Sequence, residues 1–348
     1  MGKHASLGST RLASALATAT LLLAACTGGG SGSPGADATD GGGGGDAGGY
    51  PDREITFIVP FAAGGPTDTV TRLIAEPMGE ILGQQIVVQN VEGAGGTVAA
   101  GQVAEAEADG YTVLMHHIGM STAPTLYGEE LAFDPLTDFQ TIGLVTEVPM
   151  TIIGGSEFEP NTLEELIAYV TENADTVTYA HAGIGAASQL CALLFQDAIG
   201  VQLTAAPYEG TAPAMEDLLG NQVDFMCDQT TNTTSQILAG DVKAYAVTTP
   251  ERVASLPDVP TTDEAGLPEV QVGVWHGLYV PAGTPDAIVQ ALTAALQEAL
   301  TDANVIETLA GLGAAPVAAD QATPEAHTQR LTEQIELWRP IIEAASTE

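Results

Sequence analysis

From Ile55 to Glu76 the chain reads ITFIVPFAAGGPTDTVTRLIAE: a strand-length apolar run, a turn of small residues, then a helical pattern with no break between them. Val70, Leu73, Ile74, Met78 and Ile81 recur at helical spacing behind the turn. The same alternation returns in QQIVVQNV, in the Gly-rich helix entry GAGGTVAAGQVAEAEADG and in YTVLMHH. A new phase begins near EVPMTIIGGS, with a helix expected over Leu163 to Asn173, a strand at TVTYAH, the turn AGIGAAS and a helix from Ser188 to Ile199. AAPYEGTAPAMEDLLGNQVDFMCD and GDVKAYAVTT follow, and then QVGVWHGLYVPAGTP leads to a helix whose expected N-cap is Thr284 with Pro285 at the first helical position. Strands alternating with helices point to an α/β fold built from parallel βαβ units. Pro77, inside the first helical pattern, is expected to kink that helix or end it early.

The N-terminus carries address information. Lys3 and Arg11 form a basic start, Leu12 to Ala25 is an apolar run of signal-peptide rather than membrane-spanning length, and LAAC places Cys26 after two small residues. The pattern resembles a lipoprotein lipobox, which implies residues 1–25 as a signal peptide and Cys26 as the lipid attachment site; the alternative is an ordinary secretory leader. Thr27 to Gly49 is mostly Gly with Ser, Ala and Asp, too poor in apolar residues to pack, so residues 26–49 read as a lipidated cysteine and flexible tether. Outside the cytoplasm, Cys191 and Cys227 either pair or remain two inert core thiols.

Charge excludes one class of partner. Forty-five acidic residues face eight Lys and Arg, a formal charge of −37, so nucleic acid is repelled. Any bound anion must meet other donors, because Arg53, Arg72, Lys243, Arg252, Arg330 and Arg339 all lie outside the Gly-rich turns. Two of those turns, PFAAGGPTD and HAGIGAAS, carry a strand into a helix N-terminus, where unpaired amides and the helix dipole favour an anion. The plainer reading is that their glycines only make tight turns.

The segments YPDREITFIVPFAAGGPTDTVTRLIAE, VEGAGGTVAAGQVAEAEADGYTVL, YEGTAPAMEDLLGNQVDFMCD and LPDVPTTDEAGLPEVQVGVWHGLYVPAGTP, in this order, resemble the extracytoplasmic solute receptors of tripartite tricarboxylate transporters, the Bug family. The resemblance spans Tyr50 to Ala345. It implies a type II periplasmic-binding-protein fold, with two α/β domains hinged around a ligand cleft: residues 50–148 plus 273–348 in domain 1 and 149–272 in domain 2. It further implies a monomer that binds a small carboxylate without a cofactor and delivers it to membrane permease subunits. Carried over turn by turn, the family's grip falls on Phe61, Gly64, Gly65, Thr67 and Asp68 in the first turn, and on Gly183, Gly185, Ala186, Ser188 and Gln189 in the second. The second turn departs from the family's usual Gly-x-Gly-Ser and following His, since Ala186 and Gln189 stand where a hydroxyl and an imidazole are expected. Asp228, ending VDFMCD, suits a ligand hydroxyl or amine, or is a solvated strand end; Trp275 either floors the cleft or packs in the core.

Enzyme readings lack their motifs. His116 and His117 are strand neighbours and point to opposite faces, which does not suit one metal ion. G-x-S-x-G is absent, and GAGG at Gly93 to Gly96 has neither the Rossmann spacing nor a Walker lysine. The rival to a transport receptor is a binding protein serving a signalling partner as a ligand sensor; an extracytoplasmic hydrolase is the more distant one.

Overall fold

A computed structural model describes residues 49–345. The expected leader, Cys26 and nearly all of the tether lie outside the described residues, as do residues 346–348. Three parallel strands open the fold: β1 (Ile55–Val59) lies between β2 (Ile86–Asn90) and β3 (Thr112–His117). Helices α1 (Pro66–Leu82), α2 (Thr97–Ala104) and α3 (Gly119–Tyr127) follow the three strands in turn. Val70, Ile74 and Met78 put the apolar stripe of α1 into one core with Ile55 and Phe57, as the helical spacing requires. Pro77 does not end α1, which runs on to Leu82 and stops where Gly83 adopts a left-handed conformation.

A second parallel group has β5 (Thr178–His181) between β6 (Thr204–Pro207) and β7 (Phe225–Gln229). Here α4 (Leu163–Glu172) precedes β5, while α5 (Ala187–Ile199), α6 (Thr211–Leu219) and α7 (Thr230–Ala239) follow β5, β6 and β7. The groups are joined by β4 (Phe139–Gly155), 17 residues long. Up to Pro149 it pairs antiparallel with β9 (Gly273–Pro281); from Met150 it pairs antiparallel with β7, and from Thr151 also with β8 (Val242–Val247). The sheet is therefore mixed rather than wholly parallel, because β9 inserts antiparallel between β3 and β4. The chain closes with α8 (Asp286–Ala299), α9 (Ala303–Gly311), the short β10 (Ala315–Pro316) and α10 (Pro324–Ala345). The α8 cap is one residue later than expected: Pro285 occupies it, and the Thr284 hydroxyl donates back to Pro281 O at 2.8 Å.

Cys191 of α5 and Cys227 of β7 form a disulfide, with Cα atoms 6.1 Å apart, so the alternative of two core thiols is set aside. Trp275 is buried against His327 of α10, ring centroids 5.8 Å apart, and belongs to the core rather than to a cleft floor.

Candidate functional site

Four helices begin at one small pocket. Its lining includes Pro66 and Thr67 at the start of α1, Ala186, Ala187 and Ser188 at the start of α5, Thr211 at the start of α6, and Asp228 and Gln229 just before α7. None of the four has a side-chain cap bond at its N-cap residue, whereas α4 and α9 are capped by Thr162 and Asp302. First-turn amides have no acceptor inside their own helix, and each helix dipole puts partial positive charge at this end. Such helix ends favour an anion, and the pocket lining holds no cationic side chain. Phe61, His117 and Ala182 complete the wall.

Of the residues that the sequence assigns to the first turn, Phe61 and Thr67 line the pocket, while Gly64, Gly65 and Asp68 do not. Asp68 is buried and accepts from the Gly64 amide at 2.9 Å, from Asn90 Nδ2 at 3.0 Å and from Arg72 Nε at 2.9 Å. Burial works against its charge, but the Arg72, Gly64 and Asn90 hydrogen bonds outweigh it and hold the carboxyl below its usual range. Asn90 also donates to Phe61 O at 2.9 Å, so Asp68 and Asn90 together tie down the turn. Arg72, outside the turn in sequence, folds back one helical turn to neutralise Asp68.

In the second turn Ala186 and Ser188 line the pocket; Gly183, Gly185 and Gln189 do not. Most of this turn's amides are consumed internally. Gly183 N donates to His181 Nδ1 at 3.1 Å, Gly185 N to Gln189 Oε1 at 2.9 Å, and Ala182 N to Ser188 Oγ at 2.8 Å. Gln189 thus serves the turn from within, and Ser188 Oγ accepts from the Ala182 amide while its residue lines the pocket. Asp228 lies in the wall; burial pushes its carboxyl up to about 6, against the hydrogen bonds from Asn232 at 2.6 Å and the Gln229 amide at 2.8 Å.

The family model described as the tripartite tricarboxylate transporter family receptor matches residues 70–346. The chain belongs to that receptor family. A UPF0065 protein from Agrobacterium vitis is 51% identical over 85% of each chain. The solved structure of the periplasmic binding protein BugD is 51% identical with a TM-score of 0.84, over 86% of this chain and 99% of BugD. That of MatC from Rhodopseudomonas palustris with bound malate is 42% identical with a TM-score of 0.82, over 84% of this chain and 100% of MatC. The protein is accordingly a solute-binding receptor with a periplasmic-binding-protein fold, and its relatives are receptors, not enzymes. Among the described residues no helix is long and apolar enough to cross a membrane.

The pocket is tightly enclosed. Free space in the pocket is about 20 Å³, room for about one water molecule. The two strand groups touch along a seam above it: Ala62 N donates to Glu209 O at 3.0 Å, and Thr122 Oγ1 to Gly185 O at 3.1 Å. The Tyr127 hydroxyl sits between Ala94 O at 2.8 Å and Ile184 O at 3.1 Å. Gly95, at φ 62°, lies so close that a Cβ there would fall 1.9 Å from Ile184 O, so only glycine permits this approach.

Two residues near the pocket go unassigned by sequence reasoning. His117 is in the wall, and His276, its register partner on β9, meets Thr67 Oγ1 at 3.3 Å through Nε2. Burial lowers His276 to about 3 and His116 to about 4, so these rings are neutral donors and acceptors at ordinary pH. The available signal is the histidines inside two otherwise apolar strands, two in MHH and one in VWHG.

Proposed function

We propose that this receptor captures a small carboxylate between two domains outside the cytoplasm and delivers it to the membrane subunits of a tripartite tricarboxylate-type transporter. The carrying observation is the convergence of four N-termini, none with a side-chain cap bond at its N-cap residue, on one pocket, in a chain of formal charge −37. Malate in the MatC structure supports the ligand class. Domain 1 comprises residues 50–148 plus 273–348 and domain 2 residues 149–272, a division supported by the change of β4 partners between Pro149 and Met150. A four-carbon acid exceeds the closed pocket, so it enters an open form, and its contacts to both sides then favour closure. The ligand set is Thr67 and the first-turn amides of α1, Ser188 and the first-turn amides of α5, with Phe61, Ala186 and Asp228 shaping the remainder. Gly64, Gly65, Asp68, Gly183, Gly185 and Gln189 hold the two turns in form.

Titration calorimetry with succinate, malate and adipate tests the ligand class. Charge-assisted hydrogen bonds contribute roughly 1.5–3 kcal/mol each, so three or four, less the cost of ordering and closure, give micromolar binding to at least one acid. Silence toward every acid would overturn the reading.

Lipid on Cys26 anchors the protein, an assignment supported by LAAC and the Gly-rich stretch after it. Cell fractionation of Cys26→Ser should find the protein released from the membrane; retention there would refute the anchor.

A further inference from the structure

His117 ends β3 in the pocket wall and is 3% exposed. The Gly119 amide donates to its Nδ1 at 2.9 Å, which makes Nδ1 an acceptor and puts the ring proton on Nε2. Among the described residues no protein acceptor takes that proton. The ring cannot swing away to find one: Phe61 stacks on it with centroids 4.7 Å apart and planes at 26°, and His276 meets it edge-on at 5.9 Å. Gly119 closes the Nδ1 side, where even a Cβ would approach Cε1 to 3.0 Å.

From this geometry we propose that His117 is a ligand-binding residue of the receptor, its Nε2–H donating to the carboxylate of the bound solute. The assignment rests on the carboxylate reading of the pocket and adds a neutral side-chain donor to the helix N-termini. It gives the Nε2–H, to which no described residue is hydrogen-bonded, a partner in the pocket that His117 lines. The titratable groups around the ring are His116 at 5.1 Å, His276, and Asp228 elsewhere in the wall; no cation faces it from the pocket lining. Burial, with His116 and His276 beside it, holds the imidazole well below its ordinary range, so the donor keeps the same form through neutral pH.

Calorimetry with succinate and malate on His117→Leu and His117→Gln tests the assignment. Leu fills the space without a donor and should weaken binding about ten- to a hundredfold, the loss expected for a hydrogen bond to a charged group. Gln returns an amide donor near the position of Nε2 and should recover most of that loss. In the wild-type protein, ¹⁵N-resolved NMR should show His117 protonated at Nε2 alone, with the Nε2–H proton moving downfield on addition of the acid. Affinity of the Leu variant equal to wild type, or an Nε2–H resonance unmoved by a bound acid, would overturn the proposal while leaving the carboxylate reading intact. Failure of wild type to bind either acid, with adipate also silent, would overturn both.

Discussion

Asp68 illustrates how a residue can matter to a site without touching what the site holds. Its two oxygens accept from Gly64, Asn90 and Arg72, and Asn90 in turn holds Phe61 O. Asp68→Ala frees these groups and lets the turn that carries Phe61 and Thr67 relax, at a cost of about 1 kcal/mol or more. The expected outcome is a fold that survives and an affinity for the bound acid lowered about tenfold; unchanged affinity by calorimetry would remove Asp68 from the machinery. The sequence shows that Asp68 begins a helix. It does not show that Arg72 offsets its charge, because the i,i+4 pair is visible as a spacing but its choice of partner depends on the turn's shape. Gly183 and Gly185 are the reverse case: as sequence they offer free amides, yet the His181 and Gln189 side chains occupy those amides in the fold. His117 is hidden for another reason, since inside YTVLMHH nothing distinguishes a pocket ring from a core ring until β9 is laid beside it.

At the scale of elements, local chemistry was legible and long-range pairing was not. Periodicity places α1, α5 and the strands that precede them, and glycine marks the turns at the carboxyl ends of β1 and β5. The α/β class follows from that alternation alone. The insertion of β9 between β3 and β4 joins residues more than 100 positions apart, and no local pattern encodes it. The 17-residue β4 likewise serves two groups of strands in succession, an arrangement set by its partners rather than by its own sequence. The disulfide ties α5, whose first turn lines the pocket, to β7, whose end carries Asp228. Both cysteines sit in apolar surroundings, so composition alone left their pairing open.

For the whole molecule the governing fact is charge. A protein of −37 binding an anion works against its own field, and the resolution offered here is local: four helix N-termini, hydroxyls and a neutral imidazole act at short range, where the long-range repulsion is outweighed. Arg72 is nearest in role, but it is committed to Asp68 behind the turn. Salt separates this account from one in which a cation guides the ligand. Raising NaCl shrinks the Debye length from about 30 Å at 0.01 M to about 10 Å at 0.1 M, which screens the acidic surface and leaves buried hydrogen bonds nearly untouched. The direct measurement is a stopped-flow series of association rates for an acid the protein binds, over that salt range. Association should accelerate with salt while affinity holds or improves; association slowed severalfold would instead place a cationic side chain at the ligand.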